Sequence, residues 1–276
     1  MRYAFFCVLL MTAMPVLAAP QKTPAPQYVE TLSYADLADF ALASKIVAQV
    51  QVRKIRPLKG EMGGATLPGR QRLLVSADIL SLLTAPNGQP KQIKYLLDAP
   101  LDSRGKLPRL VRTSSLIFAL PARPGEIQLI APDAAIAWTP ERDTTVRAIL
   151  SEAAQREAPP AVRGIASAFY SRGSLTGEGE TQIFLDTQDN RPASLTVQRR
   201  TDAPPKWFVS LGEVVDEGTS QPRPNSLLWY RLACFLPETV PQAAVEGQSP
   251  EDTVQLGDDY RLIKAALGTC PRLRQK

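Results

Sequence analysis

Apolar and polar residues alternate with a period of two along much of the first half of the chain. In residues 45–56, isoleucine, alanine and valine fall on one face, while glutamine and arginine fall on the other. This pattern is typical of a half-buried β-strand. The same reasoning predicts a helix at 34–43, capped by Ser33 and Asp36, and further strands at 72–83, 94–97, 114–120, 127–130 and 134–138.

Residues 139–160 change to the helical period. Thr139 suits the N-cap, and Pro140 and Glu141 suit the first turn of a helix. An apolar stripe at helical spacing follows, made of Val146, Ile149, Leu150, Ala153 and Ala154. We therefore predict an amphipathic helix that joins two modules and ends at a proline pair.

The second half returns to short strands separated by tight turns. The pattern predicts strands at 161–172, 181–187, 193–200 and 207–215. The run LLWYRLACFL at 227–236 is the densest apolar stretch beyond the N-terminus, and it predicts the most buried strand of this module. A helix at 258–267 closes the chain, with acidic residues first and Gly268 just past its end.

These elements predict a mainly β fold of the β-rich α+β class, with two small antiparallel β modules. The N-terminal module (33–138) is expected to be barrel-like on its number of strands, with an OB-like or related barrel as the leading candidate. The connecting helix occupies 139–160, and the C-terminal module with its tail helix occupies 161–276.

The N-terminus has the features of a secretory signal peptide. Arg2 precedes a short apolar run, and small residues end it, so we expect cleavage after Ala18. Residues 19–32 are rich in proline and glutamine and are predicted to form a flexible leader. The mature protein is expected to be periplasmic or secreted, with no transmembrane span.

Composition narrows the possible chemistry. The 276 residues contain no histidine, so neither a histidine general base nor a histidine-ligated metal site can form. The formal net charge is +5, a modest excess that favours a solvated surface. We predict no cofactor, no metal site and no catalytic residue.

Two cysteines, Cys234 and Cys270, remain after the predicted cleavage. In an exported chain they are expected to form a structural disulfide that closes a loop of more than thirty residues. They are too far apart in sequence to be a redox CxxC pair.

Two charged residues interrupt apolar runs. Glu213 and Arg231 each lie among large apolar side chains, and a buried charge needs a partner. We predict that they form an ion pair or face one polar pocket; the alternative is that both lie at an exposed edge.

A second group of candidates is acidic. Glu178, Glu180 and Asp186 could supply the carboxylate pair of a hydrolase if two of them converge in a cleft. Basic residues also cluster at 45–59, but no aromatic residue accompanies them for base stacking, so nucleic acid is not an expected partner.

The sequence therefore favours an exported, non-catalytic binding or interaction protein of the bacterial cell envelope, with an unidentified envelope protein or polymer as partner. The alternative is a carboxylate-dependent hydrolase that acts on envelope carbohydrate or peptide. In the alternative the acidic residues would converge, whereas in the first reading they would scatter over the surface.

Overall fold

The structure, a computed structural model, describes residues 31–58, 63–66, 68–212 and 221–274. The predicted signal peptide and nearly all of the predicted leader lie outside these residues. The described chain is mainly β, as predicted, with two antiparallel sheets of six and four strands and four α-helices. No helix in the described ranges is long and apolar enough to cross a membrane.

The elements follow one another in the order predicted, with two exceptions described below. In chain order they are α1 Tyr34–Ala43, β1 Ile46–Pro57, β2 Arg70–Thr84, β3 Gln92–Pro100, β4 Ser114–Pro121, β5 Ile127–Leu129, β6 Ala135–Ala137, α2 Pro140–Ala153, β7 Val162–Arg172, β8 Gly179–Thr187, β9 Ser194–Arg200, β10 Ala203–Ser210, α3 Leu227–Ala233 and α4 Pro250–Leu267.

The first sheet closes on itself. Its strand order is β3-β2-β1-β4-β5, with β6 also paired to β4, which is a Greek key. The two ends of this order meet through a parallel bridge between Lys94 and Glu126, where the Lys94 N–H donates to the Gly125 carbonyl at 2.8 Å. A five-stranded, partly open Greek-key barrel is the architecture of the OB fold.

The barrel has an apolar interior of its own, because alternate residues of each strand point inward. It is filled mostly by aliphatic side chains, with one tyrosine: Ile46, Ala48, Val50, Val52, Leu73, Val75, Ala77, Ile93, Tyr95, Ala99, Ile117, Ala119 and Ile127. These inward positions of β1 and β2 are those that the alternating pattern predicts.

Helices α1 and α2 cover the outside of the barrel. The predicted capping box of α1 is present: the Ser33 hydroxyl accepts from the Asp36 N–H at 3.1 Å, and the Asp36 carboxylate accepts from the Ser33 N–H at 2.9 Å. Phe40 of α1 stacks on Phe118 of β4 with ring centroids 5.1 Å apart. Helix α2 begins after its predicted cap Thr139, and it buries Val146 and Ile149.

The second sheet is a four-stranded meander in the order β10-β9-β8-β7. Its inner face and helices α1 to α4 share one apolar core, which extends to the outer face of β4. The helices therefore lie between the barrel and the second sheet. β10 contains Pro204 and Pro205, where a turn is predicted; an edge strand tolerates proline because one side of its backbone needs no ladder partner.

The prediction for LLWYRLACFL is wrong. Residues 227–233 form helix α3, in which Leu227, Trp229, Tyr230, Leu232 and Ala233 are buried. A run that is apolar at almost every position has no period, so periodicity does not separate a buried strand from a buried helix. Two local signals favour the helix: Ser226 caps it by accepting from the Trp229 N–H at 3.2 Å, and the run has no β-branched residue.

Helix α4 begins earlier than predicted. It starts at Pro250 after the N-cap Ser249, and it continues through Gly257 to Leu267. The predicted helix at 258–267 is therefore the second part of a longer helix.

A candidate ligand-binding cleft at Arg231

Arg231 lies in the last turn of α3, which three contacts hold in place. The Leu227 N–H donates to the Glu152 carboxylate of α2 at 2.8 Å. The Trp229 indole N–H donates to the Leu267 carbonyl at the end of α4, also at 2.8 Å. Helix α3 is thus fixed between α2 and α4, and the position of the Arg231 backbone is set by both.

The third contact is covalent. Cys234, the C-cap of α3, forms a disulfide with Cys270, as predicted, with Cα atoms 5.1 Å apart. The bridge fastens the tail after α4 to the end of helix α3, rather than to a strand. It lies three residues from Arg231.

The Arg231 side chain lines a cleft of about 430 Å³ between the end of α2, the Pro159-Pro160 segment, the β8–β9 turn and α3. One wall is made of small apolar residues and Leu227, and the other carries polar groups. The lining residues are Ala153, Ala158, Pro159, Pro160, Ala161, Gln188, Asp189, Arg191, Leu227 and Arg231.

The Arg231 guanidinium has no partner among the described residues. Its Nε is buried without a hydrogen bond, and it forms no ion pair within the described ranges. The guanidinium lies over the ring of Tyr230, with Cζ 5.8 Å from the ring centroid. Burial lowers the pKa of Arg231, while the electrostatic influence of Tyr230 and Asp189 opposes that shift. An arginine stays charged at any physiological pH, so the cleft contains a partly buried cation.

Asp189 and Arg191 provide the other charges of the cleft. Arg191 Nε donates to the Asp189 carboxylate at 2.6 Å, and this hydrogen bond lowers the pKa of Asp189. Between them lies Asn190, whose φ of +56° makes the tight turn from β8 to β9. Two guanidinium groups and one carboxylate leave the cleft with one excess positive charge.

This arrangement is suited to a small anion with an apolar part. A guanidinium offers several N–H donors in the planar geometry that a carboxylate accepts. The wall of alanine, proline and leucine side chains can cover a small apolar group. The residues that line the cleft include no Ser, Thr, Cys or Lys side chain.

The predicted partner of Arg231, Glu213, lies outside the described residues. The prediction that Glu213 and Arg231 form an ion pair or face one polar pocket therefore stays a prediction; the charged residues that line the cleft with Arg231 are Asp189 and Arg191. Residues 188–192 fall between two predicted strands, at 181–187 and 193–200. Local sequence does not identify Asp189 and Arg191 as site residues, because nothing in it brings that turn next to a helix about 40 residues later.

The three acidic candidates lie on β8 or in the turn before it. Glu178 lies in the turn before β8, and Glu180 accepts from the amide groups of Gln182 and Gln198. Asp186 forms an ion pair with Arg163 at 2.7 Å. Glu180 and Asp186 are six positions apart on an extended strand, which places their Cα atoms about 20 Å apart. These two carboxylates therefore do not converge at the spacing of under about 10 Å that glycoside hydrolysis uses.

Within the described ranges, no group of three Cys, Asp or Glu side chains is arranged to hold a metal ion. Comparison with known proteins gives no further assignment: no protein-family model matches the chain, and no curated protein sequence matches it.

Proposed function

We propose that this protein is an exported, non-catalytic binding protein of the bacterial cell envelope, and that the cleft around Arg231 is its ligand site. The observation that carries this proposal is the side chain of Arg231, which lines the cleft and whose buried Nε has no hydrogen-bond partner in the described chain. A buried donor without an acceptor costs stability. We therefore infer that a ligand supplies the acceptor.

The ligand class follows from the lining of the cleft. We infer a small carboxylate whose other end is a short apolar group, such as an acylated small amino acid. The carboxylate would accept from Arg231, and the apolar group would contact the alanine and proline wall. A cleft of about 430 Å³ is within the usual range for small-molecule sites.

Export is supported by two independent features. The N-terminal sequence has the pattern of a signal peptide. The Cys234–Cys270 disulfide is of the kind that persists in oxidising compartments such as the periplasm.

The proposal is tested by binding of N-acetyl-alanine to the mature protein, measured by titration calorimetry. N-acetyl-alaninamide is the matched probe, since it differs only in replacing the carboxylate by an amide. We expect saturable binding of the acid, and binding of the amide at least about tenfold weaker, the equivalent of about 1.4 kcal/mol. Equal affinity for both probes, or no binding of either, contradicts the proposal.

Two variants locate the site. Arg231→Met should abolish binding of the acid, whereas Arg200→Met, which removes an exposed arginine at the end of β9, should leave it unchanged.

Glu213→Gln should also leave binding of the acid unchanged. If Glu213 is instead the internal partner of Arg231, its removal frees the guanidinium and strengthens binding of the acid. That result would contradict the claim that Arg231 has no charged partner within the protein.

The non-catalytic part of the proposal has its own test. Mature protein incubated with cell-wall glycan and peptide fragments should leave them intact by mass spectrometry. Turnover that is lost on Glu180→Gln or Asp186→Asn would instead support a carboxylate-dependent hydrolase.

A further inference from the structure

The positive charge of the protein is concentrated in the barrel. Residues 46–137 contain thirteen Lys and Arg against six Asp and Glu, whereas the rest of the 276-residue chain contains nineteen against twenty-one. The modest net charge of the whole chain thus hides a strongly basic module. Such a surplus on one unit attracts acidic partners.

Strand register places part of this charge on one surface, the outer face of β1, β2 and β3. Lys54 is opposite Ser76, and Ser76 is opposite Lys94, so these three residues form a row across the three strands. The two lysines are two strands apart, or about 10 Å. In the next row Arg56 is opposite Leu74.

The acidic residues of this face are already neutralised. Asp78 forms an ion pair with Arg53 at 2.7 Å. Asp98 accepts two hydrogen bonds from Arg72, both at 2.7 Å. Lys54, Arg56 and Lys94 are exposed and form no ion pair within the described ranges. The net positive charge of this face therefore comes from these three residues.

A basic segment borders the same face. The Arg112 N–H donates to the Val52 carbonyl at 2.8 Å, which fixes the end of the β3–β4 connection beside β1. Leu107 and Leu110 of this connection pack against the barrel interior. Four cationic side chains of the connection are exposed, and three of them, Lys106, Arg109 and Arg112, form no ion pair within the described ranges; the fourth, Arg104, pairs with Asp102. The positive surface therefore continues from the sheet onto its border.

We propose that this surface, the outer face of β1–β3 with Lys54, Arg56 and Lys94, binds an acidic polysaccharide. The strand 2 and strand 3 face of five-stranded Greek-key barrels is the surface on which such barrels bind oligosaccharides and oligonucleotides. No aromatic side chain lies among the outward positions of these rows, so the stacking that binds single-stranded nucleic acid is missing. Ser76, which lies between Lys54 and Lys94, offers a hydrogen bond to a sugar hydroxyl.

The test uses the full mature chain and polygalacturonate, with dextran as the uncharged polymer. At low ionic strength we expect binding of polygalacturonate and none of dextran, with affinity that falls as salt is added. The variant Lys54→Gln/Lys94→Gln should weaken binding about tenfold, because it removes two exposed charge contacts. Arg200→Gln/Lys206→Gln removes the same charge from the second sheet and should change affinity less than about twofold.

Three results overturn the proposal: no binding of polygalacturonate, equal weakening by both double variants, or tighter binding of single-stranded DNA or of anionic lipid vesicles than of polygalacturonate. Thermal unfolding of both variants verifies that they are folded. The proposal is independent of the Arg231 cleft, so Arg231→Met should leave polygalacturonate binding unchanged.

Discussion

The main-chain N–H of Leu273 donates a 2.9 Å hydrogen bond to the carboxylate of Asp36, 237 residues earlier in the chain. Beside it, Arg272 forms an ion pair with Asp39 at 2.7 Å. The tail is thus tied to α1 at one end and, through Cys270, to α3. The C-terminal residues join the barrel side of the molecule to the helix that carries Arg231.

Replacing Asp36 by Asn should destabilise the protein by about 1–3 kcal/mol near neutral pH. Asp36 is buried, and burial alone would raise its pKa; hydrogen bonds from Ser33, Leu273 and Arg274 outweigh this and lower the pKa. Its stabilising contribution is therefore complete above the unfolded value of about 3.9 and is lost as pH falls through the lower folded value. Urea unfolding of the wild type and Asp36→Asn at several pH values measures both effects.

The exposed turn residue Asp202 provides the control. Asp202→Asn should change the free energy of unfolding by less than about 0.5 kcal/mol at any pH. If Asp36→Asn loses as much stability on acidification as the wild type does, the pH dependence has another origin.

Loss of the disulfide should cost about 3–4 kcal/mol. The bridge spans 36 positions of sequence, and the chain-entropy relation gives this magnitude for a loop of that length. Denaturant unfolding should show the loss in Cys234→Ser/Cys270→Ser. A reductant should lower the stability of the wild type to that of the double variant and leave the variant unaffected; unchanged wild-type stability under reduction contradicts the prediction.

Arg231→Met should stabilise the ligand-free protein by about 1–3 kcal/mol, because it removes a buried donor that has no partner. Methionine keeps much of the length of the side chain and removes the charge. Thermal and urea unfolding measure the change. A loss of stability instead of a gain would indicate that Arg231 has a partner in the protein.

The helix–sheet contact of the second module depends on a buried carboxylate. Asp259 of α4 is fully buried, and it accepts from Thr181 at 2.5 Å and from Arg199 at 2.6 Å. Asp259→Ala leaves the arginine unpaired and should cost about 3–5 kcal/mol. Asp258→Ala, at the exposed neighbouring position, should cost less than about 1 kcal/mol. Similar losses for the two variants in urea unfolding would refute this role for Asp259.

Much of the fold is predictable from local patterns. The alternation in 45–56 gives β1, and Thr139-Pro140 gives the start of α2, because each signal is carried by consecutive residues. Helix α3 is not predictable in this way, since both faces of 227–233 are buried and the run has no period. Closure of the barrel through Lys94 and Glu126 depends on strand order, which no local pattern encodes.

The candidate site was predictable only in part. Arg231 stands out in sequence because it interrupts an apolar run, and the cysteines stand out because the N-terminal sequence predicts export. Asp189 and Arg191 carry no such signal, since they look like ordinary turn residues until the turn is placed beside α3. The basic surface of the barrel is similar: Lys54 and Lys94 become neighbours only through the strand register.

The most direct test of the Arg231 cleft is the Nε–H signal of Arg231 in a nitrogen–proton NMR correlation spectrum of the mature protein, assigned by its absence from Arg231→Met. The cleft should respond to a carboxylate and not to its amide. We predict that N-acetyl-alanine shifts this signal saturably, and that N-acetyl-alaninamide at the same concentrations leaves it in place. A signal that neither compound shifts, or that both shift equally, would contradict a carboxylate-binding role for Arg231.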